Sequence, residues 1–365
     1  MIKLFNPTFN KEMEEAAIHA LQNERFVLGE STFKFEEAFA RYCGTKHAIS
    51  TSSGTAALQL TIIASGCERK EVITCPNSFI ATSNAILHAR ADPVFVDADY
   101  ETNNIDTTQI GEKITKNTKA IVPIHLYGTP ADMDAINDTI DKNAKKNNIV
   151  VIEDACQAHG ATYKEKKAGN LGHAGCFSFY STKNMTVCGD GGMVTTNDEK
   201  LADKIAKMRN CGRVSQFVHE EEGFTYRLNT VNAAIGLVQL KYLDAWNEKR
   251  NSVAKKYSDS FRNIDGIKIP VVPSHSKSAF HLYACKTPRR DELVKHLKEK
   301  GIETGLHYPI PIHLQPLYVR RFGYKEHSFG VSERIAKEIV CLPVHQELKQ
   351  KEISYVIETI KEFFR

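Results

Sequence analysis

Ile149-Val150-Val151-Ile152-Glu153-Asp154-Ala155-Cys156-Gln157 runs four branched apolar residues into two carboxylates. A short continuous apolar run that turns polar at its end marks a strand buried on both faces, as in a parallel sheet covered by helices. Three similar runs precede it, spaced by helical segments: Glu71-Val72-Ile73-Thr74, Pro93-Val94-Phe95-Val96 and Ala120-Ile121-Val122-Pro123-Ile124. Upstream, from Asn10 to about Ala64, the pattern is helical, through Ala16–Leu21, Phe35–Ala40 and Ala56–Leu60. This alternation predicts an α/β fold with a doubly wound, mainly parallel sheet. Ligands of such sheets sit beyond the carboxyl ends of the strands, which puts Asp154 first among the residues to read for chemistry.

At 365 residues the chain is long for one compact core. Past Leu240 a helical stretch rich in Lys and Arg runs through Trp246 to Tyr257, and the strand-like Gly266–Pro273 then begins a new pattern. A large domain over residues 1–247 and a smaller C-terminal α/β domain over 248–365 are expected. The composition, 42% hydrophobic and 25% charged, is that of a folded globular protein. The net charge of +4, from 48 basic and 44 acidic residues scattered along the chain, lacks the basic block of a nucleic-acid binder. Met1–Pro7 has no signal-peptide apolar core, and no apolar run approaches the roughly 20 residues needed to span a bilayer, so no membrane contact and a cytoplasmic location are expected. The nine cysteines are odd in number and most lie in strand-like or apolar stretches, as reduced thiols do; the fourteen histidines form no His-Glu-x-x-His cluster, and no metal site is expected.

Lys183 follows the alternating run Cys176-Phe177-Ser178-Phe179-Tyr180 and precedes the turn signal Gly189-Asp190-Gly191-Gly192, so a strand is expected to deliver it to its end. A desolvated lysine loses proton affinity and becomes the nucleophile of Schiff-base chemistry, whereas a lone lysine at a turn is more often simply solvated. A carboxylate at a strand end, Asp154, can hold a pyridine nitrogen protonated, and the amide of Gln157, one helical turn on, can hydrogen-bond a ring hydroxyl. Asp154 can equally cap a following helix. Ser52-Ser53-Gly54-Thr55 opens an apolar helix whose amino end suits a phosphate or is an ordinary N-cap. Phe79 can stack on a cofactor ring or sit in the core.

These blocks together resemble the DegT/DnrJ/EryC1/StrS family, aminotransferases that aminate keto sugars of nucleotide-linked hexoses. The likeness runs through Ser53–Leu58, Pro93–Asp97, His125-Leu126-Tyr127-Gly128, Glu153-Asp154-Ala155, Phe177–Phe179, Thr182-Lys183-Asn184, Gly189–Gly192, Gly301–Gly305, His307-Tyr308-Pro309 and His313–Pro316. The resemblance implies a pyridoxal 5'-phosphate (PLP) aminotransferase of fold type I, with Lys183 forming the Schiff base and Asp154 pairing with the ring nitrogen. It implies that Gln157 contacts the ring oxygen, that Phe79 stacks on the ring, and that Gly54, Thr55 and Ser178 hold the phosphate. It further implies a homodimer with shared sites, in which the segment Gly223–Arg227 reaches the neighbour's cofactor. Thr225 stands where the family has asparagine, leaving a shorter donor, and Arg227, His307 and Tyr308 would approach the substrate. A Tyr-Pro turn packed on the core is an equal reading for the last two.

The implied reaction moves the amino group of L-glutamate to a keto group of a UDP- or dTDP-linked 6-deoxy hexose. Pro76–Thr82 is similar to enzymes aminating 4-keto rather than 3-keto sugars. Within the family a cyclitol aminotransferase shares these residues, while a sugar dehydratase would replace Lys183 by histidine. A non-catalytic PLP-binding regulator would be expected to carry a DNA-binding module, and none is visible. A nicotinamide oxidoreductase lacks its Gly-x-Gly-x-x-Gly.

Overall fold

The computed structural model describes residues 1–143 and 148–365. A seven-stranded sheet is built from β1 (His47–Thr51), β2 (Glu71–Thr74), β3 (Asp92–Phe95), β4 (Thr118–Ile121), β5 (Val150–Asp154), β6 (Ala174–Ser178) and β7 (Gly192–Thr196), in spatial order β1-β7-β6-β5-β4-β2-β3. Strands β3, β2, β4, β5 and β6 pair in parallel; β7 runs antiparallel to both β6 and β1. The carboxyl ends of β1, β5 and β6 therefore share one edge of the sheet.

Successive side chains of a strand face opposite sides. Val151 of β5 accordingly enters a core with Ile73, Ile121 and Ile136, whereas Ile152 enters another with Val72, Leu58 and Ile205. Covering both faces with helices is what requires the continuous apolar runs of these central strands. The fold is the mainly parallel α/β architecture expected.

Two strands of this sheet went unanticipated. The stretch read as helical from Asn10 to Ala64 divides into helices Lys11–Asn23, Glu30–Cys43 and Gly54–Ala64, with β1 inserted after the second. Gly44, at φ 76°, ends that second helix in the left-handed conformation that glycine adopts without strain. β7 follows directly on the Gly189–Gly192 turn. Conversely, Gly266–Pro273 does not form a strand. Its one pairing is Lys268 with Lys286, because Pro270 and Pro273 have no N–H to give a ladder.

Beyond the sheet, β8 (Tyr283–Lys286) and β9 (Ile339–Leu342) pair antiparallel and pack with helices Leu243–Phe261, Arg290–Glu299 and Gln350–Phe364. The Leu243–Phe261 helix starts with Leu243 among large-domain aromatics and ends with Tyr257 and Phe261 in this second core. We propose that passage, at 247/248, as the domain boundary. Ile2 also packs into the second core, its N–H donating to the Gly301 carbonyl at 2.8 Å. Among the described residues no helix is long and apolar enough to cross a membrane, and no group of three or more His, Cys, Asp or Glu is placed to hold a metal ion.

Candidate active site

A cavity of about 500 Å³ opens at the shared carboxyl edge. Gly54, Thr55, Phe79, Asp154, Gln157, Ser178, Lys183, His307 and Tyr308 all line it. A wider groove of about 650 Å³, between the Glu30–Cys43 and Glu199–Met208 helices, contains none of them.

Asp154 ends β5 and is buried. Its Oδ2 accepts from the Thr82 hydroxyl at 2.6 Å and its Oδ1 from the Cys156 N–H at 3.1 Å. No helix follows it, since residues 155–161 form turns, so the helix-cap alternative falls away. Gln157 likewise sits in a turn rather than one helical turn on. Its Oε1 accepts from the Tyr127 N–H at 2.9 Å, while its Nε2 donates to the Tyr308 hydroxyl at 3.4 Å. With the oxygen committed to a backbone donor, the amide presents its NH2 side to the cavity.

Strand β6 ends at Ser178, five residues before Lys183. The lysine is carried instead on the turn that follows, where its N–H donates to the Tyr180 carbonyl at 2.8 Å. Its side chain is half-buried and lines the cavity. Burial pushes the Lys183 ammonium below the usual lysine range, against the opposing pull of Cys156 and Asp154. Among the described residues no side chain is ion-paired with it.

Ser53 caps the Gly54–Ala64 helix, its hydroxyl accepting from the Ala56 N–H at 3.1 Å. The first N–H groups of any helix lack intrahelical partners, so this end offers donors to an anion. A Cβ on Gly54 would lie 2.6 Å from Ser178 Cβ and 2.8 Å from Cys156 Sγ, so the helix can start against the end of β6 only with glycine there. Phe79 is 54% exposed at the cavity wall, its ring centroid 5.8 Å from that of Tyr308. The exposed face can cover a planar ligand. His307 and Tyr308 come from the C-terminal part of the chain, and the Tyr127 hydroxyl donates to the His307 carbonyl. Burial, helped by the Lys183 charge, lowers His307 to about 4 and keeps it neutral.

Thr225 and Arg227 do not line the cavity of their own chain. Thr225 Oγ1 lies 3.6 Å from Cys211 Sγ, and Arg227 donates to Asn210 Oδ1 at 2.9 Å. Both follow a loop whose Phe217 is 83% exposed. Sequence reasoning missed Phe5, Thr82, Tyr180 and His281, all of them cavity residues. Thr82 lay within a stretch weighed only for substrate preference. Phe5 and His281 carry no local motif and arrive through tertiary packing.

The carboxyl edge of the mainly parallel sheet thus gathers, in one cavity, a lysine without an ion-pair partner, a strand-end carboxylate and a glycine-opened helix end. Residues 7–361 match the DegT/DnrJ/EryC1/StrS aminotransferase family, and the chain belongs to it. A pleiotropic regulatory protein of Geobacillus stearothermophilus is 42% identical, over 94% of this chain and 92% of its own length. The dTDP-3-amino-3,6-dideoxy-alpha-D-galactopyranose transaminase of Aneurinibacillus thermoaerophilus is 38% identical, over 99% and 98%. Among solved structures, S. venezuelae DesV in complex with a ketimine intermediate superposes with a TM-score of 0.94 at 36% identity, covering 97% of this chain and 94% of that one.

Proposed function

We propose that this chain binds PLP and transfers the amino group of L-glutamate to a keto group of a UDP- or dTDP-linked 6-deoxy hexose. The observation that carries the reading is the convergence of Lys183, Asp154, Gln157 and the Gly54–Thr55 helix end on one cavity. These groups fit the cofactor: an amine without an ionic partner, a buried carboxylate, an amide turned donor-side in, and a helix end cleared for an anion.

When bound, PLP supplies an aldehyde that condenses with amines and a ring that accepts the electron pair released at the substrate carbon. Lys183 Nζ, with its lowered proton affinity, serves as the amine and then carries the proton between the two reacting carbons. Asp154 holds the proton on the ring nitrogen by charge. Gln157 Nε2 donates to the ring oxygen, and Phe79 covers the ring. The amides of Gly54 and Thr55, with the hydroxyls of Thr55 and Ser178, hold the phosphate. His307 and Tyr308 close the cavity from the C-terminal side, toward the sugar.

Amination at carbon 4 is favoured by the Pro76–Thr82 stretch; the second reading, carbon 3, is favoured by the name of the Aneurinibacillus relative. Incubation with glutamate and a panel of nucleotide-linked 3-keto and 4-keto sugars, read by product mass and regiochemistry, separates them. Failure to aminate any member would remove the proposal.

The same reading makes the active form a homodimer, with Thr225 or Arg227 reaching the partner's site. An inactive Lys183→Ala chain mixed with an inactive Arg227→Ala chain should regain activity, because one site of the heterodimer then carries neither lesion. No recovery after demonstrated subunit exchange would remove Arg227 from the site.

A further inference from the structure

His281 is 4% exposed, lines the cavity, and belongs to the segment leading into β8. Its hydrogen-bonding state can be worked out from its neighbours. Asn184, the residue after Lys183, places Nδ2 at 2.7 Å from the Ala279 carbonyl and 2.9 Å from Asn247 Oδ1. A backbone carbonyl only accepts, so the Asn184 atom facing Ala279 is the NH2 group. Asn247 is oriented by the same logic, since its Nδ2 donates to the His159 carbonyl at 2.7 Å. The remaining Asn184 atom, Oδ1, must accept, and it lies 3.3 Å from His281 Nδ1.

His281 Nδ1 therefore carries the hydrogen, and a neutral imidazole with Nδ1–H has a lone pair at Nε2. Burial first, then the Lys183 and Arg250 charges, hold the ring well below the usual histidine range, in its neutral form. Among the described residues no protein group donates to Nε2. Phe5 stacks on the ring at 6.1 Å between centroids, restraining its plane. The cavity thus contains a fixed acceptor without a donor, on the wall it shares with Lys183.

What can fill it is restricted by chemistry. The carboxylates of glutamate, a phosphate and a keto oxygen accept only, the amino group of glutamate is the reacting group itself, the cofactor's ring oxygen is assigned to Gln157, and the hydroxyls and base N–H of the nucleotide lie a diphosphate away from the reacting carbon. A sugar hydroxyl can donate. We propose that His281 is a specificity-determining residue: its Nε2 accepts a hydrogen bond from a hydroxyl that the keto sugar carries on a carbon next to the carbonyl. This rests on the reading of the acceptor as a nucleotide-linked keto sugar.

The test compares keto sugars that differ by one hydroxyl next to the carbonyl: on carbon 3 of a 4-keto sugar, whose carbon 5 carries the ring oxygen instead, and on carbon 2 or carbon 4 of a 3-keto sugar. For the unaltered holoenzyme, deleting the hydroxyl on one of those carbons should lower kcat/KM roughly ten- to hundredfold, the loss expected when a buried polar group is left unpaired. In His281→Phe the ratio between the two substrates should fall to near one, a reading independent of how much protein is folded. Nitrogen-15 NMR of the imidazole at neutral pH, which needs no turnover, should show a protonated Nδ1 and a bare Nε2. A ratio near one for every such deletion in the unaltered protein, an undiminished ratio in the variant, or a protonated Nε2 would each overturn the inference. Absence of amination of every keto sugar by the unaltered protein is the separate signature that the underlying reading has failed.

Discussion

Replacing Lys183 by alanine should lower turnover by several powers of ten, each worth about 1.4 kcal/mol of barrier, while the protein still folds and still binds pyridoxamine phosphate. The side chain has no ionic partner to leave stranded, so its removal costs little stability, and the groups proposed to hold ring and phosphate remain. Borohydride reduction of the resting protein followed by peptide mapping should place the pyridoxyl group on Lys183. Lys164 and Lys167 are the nearby competitors and lack its environment. Lys164 pairs with Asp134 and Lys167 with Asp244 at 3.3 Å, and the Asp134 carboxylate raises Lys164 above the usual lysine range. Burial moves Lys183 in the opposite direction, so at neutral pH a larger fraction of it is free amine. The rate of aldehyde capture by cofactor-free protein should therefore rise with pH and level off below the range of an ordinary lysine. A label on another lysine, or full turnover in the alanine variant, would defeat the assignment.

The sequence made the central strands legible because a strand covered on both faces carries consecutive apolar residues, as Val72-Ile73 of β2 and Val150-Val151-Ile152 of β5 do. β1 and β7 escaped notice for the converse reason. His47-Ala48-Ile49-Ser50-Thr51 and Gly192-Met193-Val194-Thr195-Thr196 mix small polar residues with apolar ones, yet nearly all are buried against each other in the sheet. At the site, Lys183, Asp154 and Gly54 were readable because each sits where a run of one character meets another. His281 was not, since its meaning depends on Asn184 and Asn247, which are distant from it in the chain and oriented by backbone carbonyls. Lys183 itself was placed at a strand end, but the turn after Ser178 is what brings it back over the sheet edge. Local alternation cannot distinguish a strand from an extended loop that keeps the same rhythm.

Asp154→Asn should keep the fold and lose about a hundred- to thousandfold in turnover, the scale on which removing one preorganised electrostatic group acts. The geometry separates the two effects. An asparagine Oδ1 can still accept from the Cys156 N–H, and its Nδ2 can donate to the Thr82 oxygen once that hydroxyl turns its hydrogen away. Neither local bond needs the negative charge. What the amide cannot do is hold a proton on a ring nitrogen by charge, and without that proton the ring is a poorer sink for the electron pair left when the substrate proton departs. Thermal melting within a few degrees of the unaltered protein, together with the loss of turnover, is the expected pair of results. A variant that melts normally and turns over normally would make Asp154 a purely structural carboxylate, held by Thr82 and Cys156 for the sake of the strand end alone. One that fails to fold would be checked with Asp154→Glu, which keeps the charge but lengthens the reach; there turnover should exceed that of the asparagine variant if charge at the ring nitrogen is what matters.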